Sequence, residues 1–279
     1  MLTDPFHVDW LTDLMAHHAS VPAGANLHLL IDGAFRPGLF RELDKEPLVL
    51  FESLPSCSEE TRDVSPFVVQ FEPNDRSLCR LLCRCNGFPM VSAITTFETA
   101  EKLAERLAAW CIVEADDQRF NFRFSDTRRL PDIFRVLTDQ QRGEISGNAV
   151  AWRFVGRNGE WNEIAYPLTP GEFAVTARAK LDENQFKRLV SDSEPDEMWA
   201  RLEYRGVTTH LPPSQRHAVL SSALSLVHER KIDGNDTVRW CAASLSMDEA
   251  NDLANLRTRF AAWITDNVRT NDDDSPAIA

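Results

Sequence analysis

The sequence lacks the features that place a protein in a membrane or outside the cell. No window reaches the roughly 18 to 20 consecutive apolar residues that a membrane-spanning helix requires. The first residues, MLTDPFHVDWLTDLMAHH, have neither the basic start nor the uninterrupted apolar stretch of an export signal. We therefore expect a cytoplasmic protein. In a reducing cytoplasm its cysteines are free thiols unless a metal holds some of them.

Positive charge is also scarce. The chain has 30 Lys and Arg against 43 Asp and Glu, which gives a net charge of -13 and a pI near 5.0. Because phosphate binding needs a cationic surface, this balance predicts no nucleic-acid partner. An anionic membrane surface is disfavoured for the same reason.

Catalytic and cofactor motifs are missing as well. There is no Gly-x-Ser-x-Gly, no His-Glu-x-x-His and, with eleven glycines in the chain, no glycine-rich phosphate loop. The histidines offer little: His17 and His18 are neighbours that point in different directions on a helix, and His28 has no nucleophile beside it. We therefore expect no catalytic residue and no cofactor.

The cysteines include one group with metal-like spacing. Cys79 and Cys83 fall on one face of a predicted helix, and Cys85 is near. Structural zinc usually takes four ligands in paired short spacings, and no second pair is present, since Cys57 and Cys111 are isolated. The alternative is that these cysteines act as small buried hydrophobes, and we expect no metal site.

Length and composition predict two lobes and a tail. A chain of 279 residues exceeds the roughly 100 to 150 residues of a usual single core, and 43% hydrophobic residues supply enough apolar material for two. Strand and helix patterns mix over residues 1–167, which predicts an α/β (α+β) lobe with a mixed β-sheet flanked by helices. Residues 168–268 predict a smaller, mostly helical lobe, and residues 269–279 a disordered acidic tail.

Several segments have a predicted secondary structure. Strands are predicted in ANLHLLIDGAF, PLVLFES, SPFVVQFE, MVSAITTF and FNFRFSD, and a hairpin is predicted around Asn158-Gly159. Short helices are predicted in RPGLFRELDKE, DENQFKRLV and PDEMWARLEY, and an amphipathic first helix includes Val8. The last helix is expected to begin with a capping box of Ser246 and Glu249.

Two acids stand at predicted strand ends. Asp32 ends LLID and Asp126 ends FRFSD, and ligands of open α/β sheets bind at such ends, so one reading is a metal-dependent hydrolase. In the other reading Asp32 begins a turn with Gly33, while Asp126 begins an Asx turn or forms an ion pair. We favour the second reading because no nucleophile or third metal ligand accompanies the acids. The candidate ion-pair partners of Asp126 are Arg123, Arg128 and Arg129.

The large aromatic residues divide into two groups. Trp110, Trp152 and Trp240 are expected in cores. The candidates for partner binding lie in the helical lobe, because large amphipathic rings dominate interface energetics. They are Trp199, Tyr204 and Trp263.

An ordered set of segments resembles a known family. The segments are LIDGAF, SPFVVQF, GFPMVSAIT, FRFSDTRRLPDIFRVLTDQQRGEISGNAVAW and VHERKIDGNDTVRWCAASLS. They resemble the type VI secretion effector-adaptor family, a domain of unknown function found in effector chaperones. The resemblance covers residues 27–155 well and the helical lobe more loosely. In this chain Ser125 stands where the family commonly has an aromatic, Thr127 where Pro is common, and Asn86 where Trp is expected.

The resemblance implies a function that the composition does not. It implies a non-enzymatic adaptor that binds one toxic effector and presents it to its cognate spike protein, VgrG. Two alternatives stay open from the residues: a metal-dependent hydrolase that uses Asp32 and Asp126, and an immunity protein that only inhibits a toxin.

Overall fold

The chain is a mixed α/β protein that divides into two compact units. The computed structural model describes residues 1–54, 57–168, 170–171, 179–232, 234–246 and 253–267. The first unit is Met1–Asp192 and the second is Ser193–Ala279, whereas the sequence patterns placed the boundary after residue 167. The predicted tail, and Glu249 of the predicted capping box, lie outside the described residues.

The first unit carries all of the described strands. They are β1 (Asn26–Asp32), β2 (Leu48–Val49), β3 (Pro66–Gln70), β4 (Val91–Thr96), β5 (Ile112–Ala115), β6 (Gln118–Asn121), β7 (Ala149–Val155), β8 (Trp161–Glu163) and β9 (Ala179–Lys180). Its helices are α1 (Trp10–Ala19), α2 (Glu59–Asp63), α3 (Arg76–Arg84), α4 (Ala100–Ala109), α5 (Leu130–Val136) and α6 (Asp139–Ser146), and α7 (Glu183–Tyr204) begins in it.

The main sheet has six strands in the order β2-β3-β1-β4-β7-β8, and its described pairs are all antiparallel. The expected α/β class, with a sheet flanked by helices, is confirmed, and the described pairs of these six strands are antiparallel. The helix α3 connects β3 to β4. These two strands are not neighbours in the sheet, because β1 lies between them and is antiparallel to both. The helical connection therefore does not join two paired parallel strands. The smaller sheet, β6-β5-β9, is the mixed one, since β5 pairs antiparallel with β6 and parallel with β9.

Both faces of the main sheet are buried. Along β1, Leu29 and Ile31 pack into a core with α1 and α3, while Leu30 packs into a second core with α4 and α5. Because successive strand residues point to opposite faces, a strand covered on both sides reads as a continuous apolar run. This explains why β1 was recognisable in the sequence as a buried strand.

Three predicted elements of the first unit differ from the structure. The first helix begins at Trp10, so Val8 precedes it and is 84% exposed. RPGLFRELDKE forms only the 3-10 turn Leu39–Glu42, and PLVLFES is a two-residue strand followed by the 3-10 turn Leu50–Ser53. In the last two cases the apolar side chains reach the core from a 3-10 turn, which the pattern of apolar residues alone does not distinguish from a regular element.

The described part of the second unit is helical, as expected. It contains the end of α7, and then α8 (Pro213–Arg230), α9 (Gly234–Leu245) and α10 (Leu253–Asn267). Two separate short helices were predicted where α7 is one helix with Pro195 inside it. Leu220, Val227 and Trp240 are fully buried in the core of this unit. Within the described residues, none of the helices combines the length and the apolar character needed to cross a bilayer.

A buried histidine in β1 makes stability depend on pH. His28 is only 1% exposed, and burial lowers the pKa of its imidazole below 6.5, against the weaker opposing influence of Glu98 and Glu101. Above pH 6.5 the ring is neutral in the folded and unfolded states. Below it, the unfolded chain binds a proton that the folded chain does not, so the free energy of unfolding falls by up to about 1.4 kcal/mol per pH unit.

We expect His28→Gln to flatten this dependence between pH 6.5 and the lowered pKa of the folded state. The measurement is urea unfolding at a series of pH values. Part of the pH dependence of the free energy of unfolding should remain in this variant, because burial also lowers the pKa of His17. The matched control is His210→Gln, since His210 is exposed. A His28→Gln profile parallel to that of the wild type would contradict the prediction.

Candidate binding surface

Asp32, the last residue of β1, is buried and fully engaged. One carboxylate oxygen accepts a hydrogen bond from the backbone N-H of Ala34 at 2.9 Å and so caps the 3-10 turn Gly33–Phe35. The other accepts from Nη2 of Arg123 at 2.8 Å. Asp32 therefore begins a turn with Gly33, and its ion-pair partner is 91 residues away in the chain.

Asp126 does not lie at a strand end, which corrects the prediction for FNFRFSD. The strand β6 ends at Asn121, and residues 124–129 form a succession of turns before α5. Phe122 and Phe124 both enter the core, and this alternation imitates a strand. The turns are held by Thr127, whose N-H donates to the Pro89 carbonyl at 3.0 Å and whose hydroxyl donates to the Val155 carbonyl at 2.7 Å.

The Asp126 carboxylate makes an Asx turn and a two-point ion pair with one residue. It accepts from the backbone N-H of Arg128 at 3.1 Å, from Nε of Arg128 at 3.1 Å and from Nη2 at 2.8 Å. Both side chains are well buried, at 3% and 13% exposure. Such bidentate pairs fix the plane of the guanidinium group.

The two ion pairs meet at one phenylalanine. The guanidinium carbons of Arg123 and Arg128 lie 4.8 and 5.6 Å from the centre of the Phe35 ring. The Phe88 ring lies 6.4 Å from that of Phe35, and the guanidinium carbon of Arg36 lies 4.7 Å from the centre of the Phe88 ring. We call these five residues the arginine–aromatic surface: Phe35, Arg36, Phe88, Arg123 and Arg128. All five are half-buried.

The arginine–aromatic surface combines rigidity with unused hydrogen-bonding capacity. Cation–π contacts and buried carboxylates hold its side chains in place. Among the described residues, its three arginines outnumber the two aspartates that pair with them, in a chain whose overall charge is -13. The arrangement suits binding rather than acid–base chemistry, because both carboxylates already accept hydrogen bonds from arginine.

Of the three predicted partners of Asp126, only Arg128 pairs with it, because Arg123 pairs with Asp32 and Arg129 is directed elsewhere. Arg129 donates from Nη1 to the backbone carbonyl of Asp192 at 3.3 Å. The neighbouring Arg135 forms ion pairs with Asp132 at 3.1 Å and with the Asp192 carboxylate at 2.7 Å. These contacts tie α5 to α7 at Asp192, near the middle of that helix.

The cysteine group does not form a metal site in the part of the chain that the structure describes. Cys83 is exposed and Cys79 half-buried, whereas the Cys85 thiol is buried and donates to the Leu81 carbonyl at 3.4 Å. Burial raises the pKa of the Cys85 thiol to about 12. It is therefore protonated at neutral pH, whereas metals bind the thiolate.

The aromatic candidates of the second unit differ in accessibility. Trp199 is half-buried under Arg216, whose guanidinium carbon lies 4.0 Å from the ring centre. Trp263 packs against Trp240, with 5.6 Å between ring centres, and is also half-buried. Tyr204 is 93% exposed. Their role in partner binding stays a prediction, and Tyr204 is the most accessible of the three.

Fold and surface together define a mixed α/β protein with a fixed cationic and aromatic surface on its first unit. Residues 27–144 match the sequence model of a family described as Domain of unknown function (DUF4123). No curated protein and no solved structure matches the chain. The family match runs from β1 into α6 and contains the whole arginine–aromatic surface with its two carboxylates, Asp32 and Asp126.

Sequence reasoning found only part of this surface. It identified Asp32, Asp126 and the arginines that follow a strand-like stretch. It missed Phe35, Arg36 and Phe88, which lie in the turn segments GAFRPG and NGFP. The sequence does contain one indication of these residues, which is an aromatic residue between a glycine and a proline. Turns are exposed and rarely need a large apolar side chain, so an aromatic residue there indicates a binding role.

Proposed function

We propose that this chain is a non-enzymatic adaptor that binds one toxic effector and couples it to its cognate VgrG spike for type VI secretion. Two observations support the proposal: the resemblance of its segments to effector adaptors, and the family match over residues 27–144 of the same region. The single observation that carries it is the arginine–aromatic surface, which lies within that region.

This surface has the chemistry of a binding site for a protein. Arginine and aromatic residues are enriched at the centres of protein–protein interfaces, where a few of them supply most of the binding energy. An adaptor needs two separable surfaces of ordinary size, roughly 800 Å² per partner, and a chain with two compact units has room for both. A partly polar surface also suits a complex that must be released.

The hydrolase alternative is less consistent with the site. A metal bound between Asp32 and Asp126 would have to displace Arg123 from one carboxylate and Arg128 from the other. Among the described residues, no three His, Cys, Asp or Glu side chains are grouped so as to hold a metal ion.

The proposal predicts loss of one exported protein when the gene is deleted. The toxic effector encoded beside it should no longer be secreted, while other effectors of the same apparatus still leave the cell, because an adaptor serves one cargo. Immunoblots of culture supernatants measure this, and a plasmid copy of the wild-type gene should restore export. Unchanged export of the neighbouring effector would overturn the proposal.

Gene order separates an adaptor from an immunity protein. An adaptor gene is expected between the spike gene and the effector gene, whereas an immunity gene is expected after the effector gene. Co-expression should also give a stable complex of adaptor and effector. An immunity protein would instead protect cells from the toxin without affecting its export.

A further inference from the structure

Arg36 differs from the other arginines of the arginine–aromatic surface. It follows the 3-10 turn Gly33–Phe35, and its guanidinium group contacts the Phe88 ring. Its Nε is buried and has no hydrogen-bond partner in the described part of the chain, and none of the described carboxylates forms an ion pair with it. That Nε is covered by the protein itself, so a ligand would reach Arg36 through its terminal N-H groups, which form no hydrogen bond with a described residue.

Arg123 adds further donors to the same surface. Only Nη2 of Arg123 is bonded to Asp32, and the side chain is 39% exposed, so its outer N-H groups face solvent. Arg128 has a different role, because Asp126 engages it at two points and it is only 13% exposed. Arg36 and Arg123 are therefore the two arginines of this surface with donors that no described residue uses, while Arg128 is held by Asp126 and contacts the Phe35 ring.

We propose that the arginine–aromatic surface binds an acidic peptide segment of one of the two partner proteins. A side-chain carboxylate of that segment accepts hydrogen bonds from Arg36 and Arg123, and an adjacent apolar side chain packs on Phe35 and Phe88. This inference rests on the proposed adaptor function. It adds the chemistry by which one partner is recognised.

Charge and geometry favour a carboxylate over the other anions that arginine binds. The planar guanidinium group matches a carboxylate in a two-point arrangement. A nucleic acid brings a long row of phosphates and needs an extended cationic surface, which a chain with a net charge of -13 does not favour. A short acidic segment needs only the local positive charge. The acidic remainder of the chain repels wrongly placed acidic surfaces and so fixes the orientation.

The decisive variant is Arg36→Gln, because Arg36 makes no ion pair with a described residue and its replacement leaves no buried carboxylate unpaired. The probes are the purified full-length effector and the VgrG protein encoded beside this gene. Isothermal titration should show binding to one of them at least about tenfold weaker, because a hydrogen bond to a charged group is lost, and binding to the other unchanged. The difference in affinity between the wild type and Arg36→Gln should be smaller at high salt, because salt screens the charge interaction that only the wild type makes.

The matched control is Arg80→Gln. Arg80 is an exposed arginine of α3 in the same unit, and none of the described carboxylates forms an ion pair with it. Its replacement removes the same charge from the chain but leaves the arginine–aromatic surface intact. Binding of both partners should therefore stay within about twofold of the wild type, since exposed charges contribute little.

The bound segment can then be located. A photo-reactive phenylalanine analogue at Ala34, which is exposed beside Phe35, should cross-link to a partner peptide that contains Asp or Glu. Replacing that Asp or Glu by Asn or Gln should weaken binding of the partner to the wild type at least about tenfold. The same replacement should change binding to the Arg36→Gln variant little, because the carboxylate and the Arg36 guanidinium interact directly and the variant lacks that interaction.

The outcomes separate this inference from the adaptor function. If Arg36→Gln binds both partners as tightly as the wild type, the acidic-segment proposal is overturned and the adaptor function stands. If the wild type binds neither partner, the adaptor function fails and this proposal with it. Binding of a fluorescent single-stranded oligonucleotide that Arg36→Gln abolishes would assign the surface to nucleic acid and would also overturn the proposal.

Discussion

Arg106→Met should lower the free energy of unfolding by about 3–5 kcal/mol, because it leaves a buried carboxylate without its partner. Arg106 lies in α4 and Glu98 just before it, and their side chains are only 7% and 4% exposed. Nε of Arg106 donates to both carboxylate oxygens, at 3.0 and 3.2 Å, and Nη1 donates to the Glu144 carbonyl at 3.1 Å. Urea unfolding followed by circular dichroism measures the effect.

Two further variants test the cause. Arg84→Met removes an arginine whose ion pair with Glu42 is exposed, and it should cost only about 0–1 kcal/mol. The double variant with Glu98→Met and Arg106→Met should be more stable than Arg106→Met alone, since it removes both charges. If the double variant were the less stable, burial of an unpaired charge would not be the source of the loss.

Gly147→Ala should cost about 2–5 kcal/mol, because the position combines an unusual backbone conformation with a crowded neighbourhood. Gly147 has a φ of +56° and follows α6. An added Cβ would lie 2.2 Å from Nε of Arg106 and 2.8 Å from Oε1 of Glu98. The methyl group would therefore push apart the buried ion pair as well as strain the backbone. Thermal unfolding should show a clearly lower Tm.

Gly24→Ala separates these two contributions. Gly24 has a φ of +84°, but an added Cβ would meet only Phe97, at 4.0 Å. Its substitution should cost only the backbone strain, about 1–2 kcal/mol. Equal losses for Gly147→Ala and Gly24→Ala would mean that the ion pair moves aside without cost, contrary to the expected result.

The Arg106–Glu98 pair illustrates a limit of sequence reasoning. In α4, Leu103 and Leu107 mark the buried helix face, and Arg106 lies at the edge of that face, where the pattern of apolar residues does not say whether a side chain is covered. In the structure the end of α6 covers that side of the helix, and Arg106 is buried with Glu98. The pattern of one helix contains no information about which other element packs on its polar side.

The candidate site was partly predictable for a similar reason. Asp126 and Arg128 are two residues apart, so the Asx turn and its ion pair follow from local chemistry. Asp32 and Arg123 are 91 residues apart, and only the fold brings them together at Phe35. Nε of Arg36 has no hydrogen-bond partner among the described residues, because the fold brings none of their acceptors within hydrogen-bonding distance of it.

The sequence by itself determined the mixed α/β character of the first part of the chain, the helical second part, the buried strands β1, β3 and β4, and the hairpin at Asn158-Gly159. These follow from periodicity and turn residues, which act over a few positions. The tertiary structure alone decided the antiparallel strand directions, the early end of β6 and the gathering of three arginines around two phenylalanines. Those depend on contacts between segments far apart in the chain, whose free energy no local pattern contains.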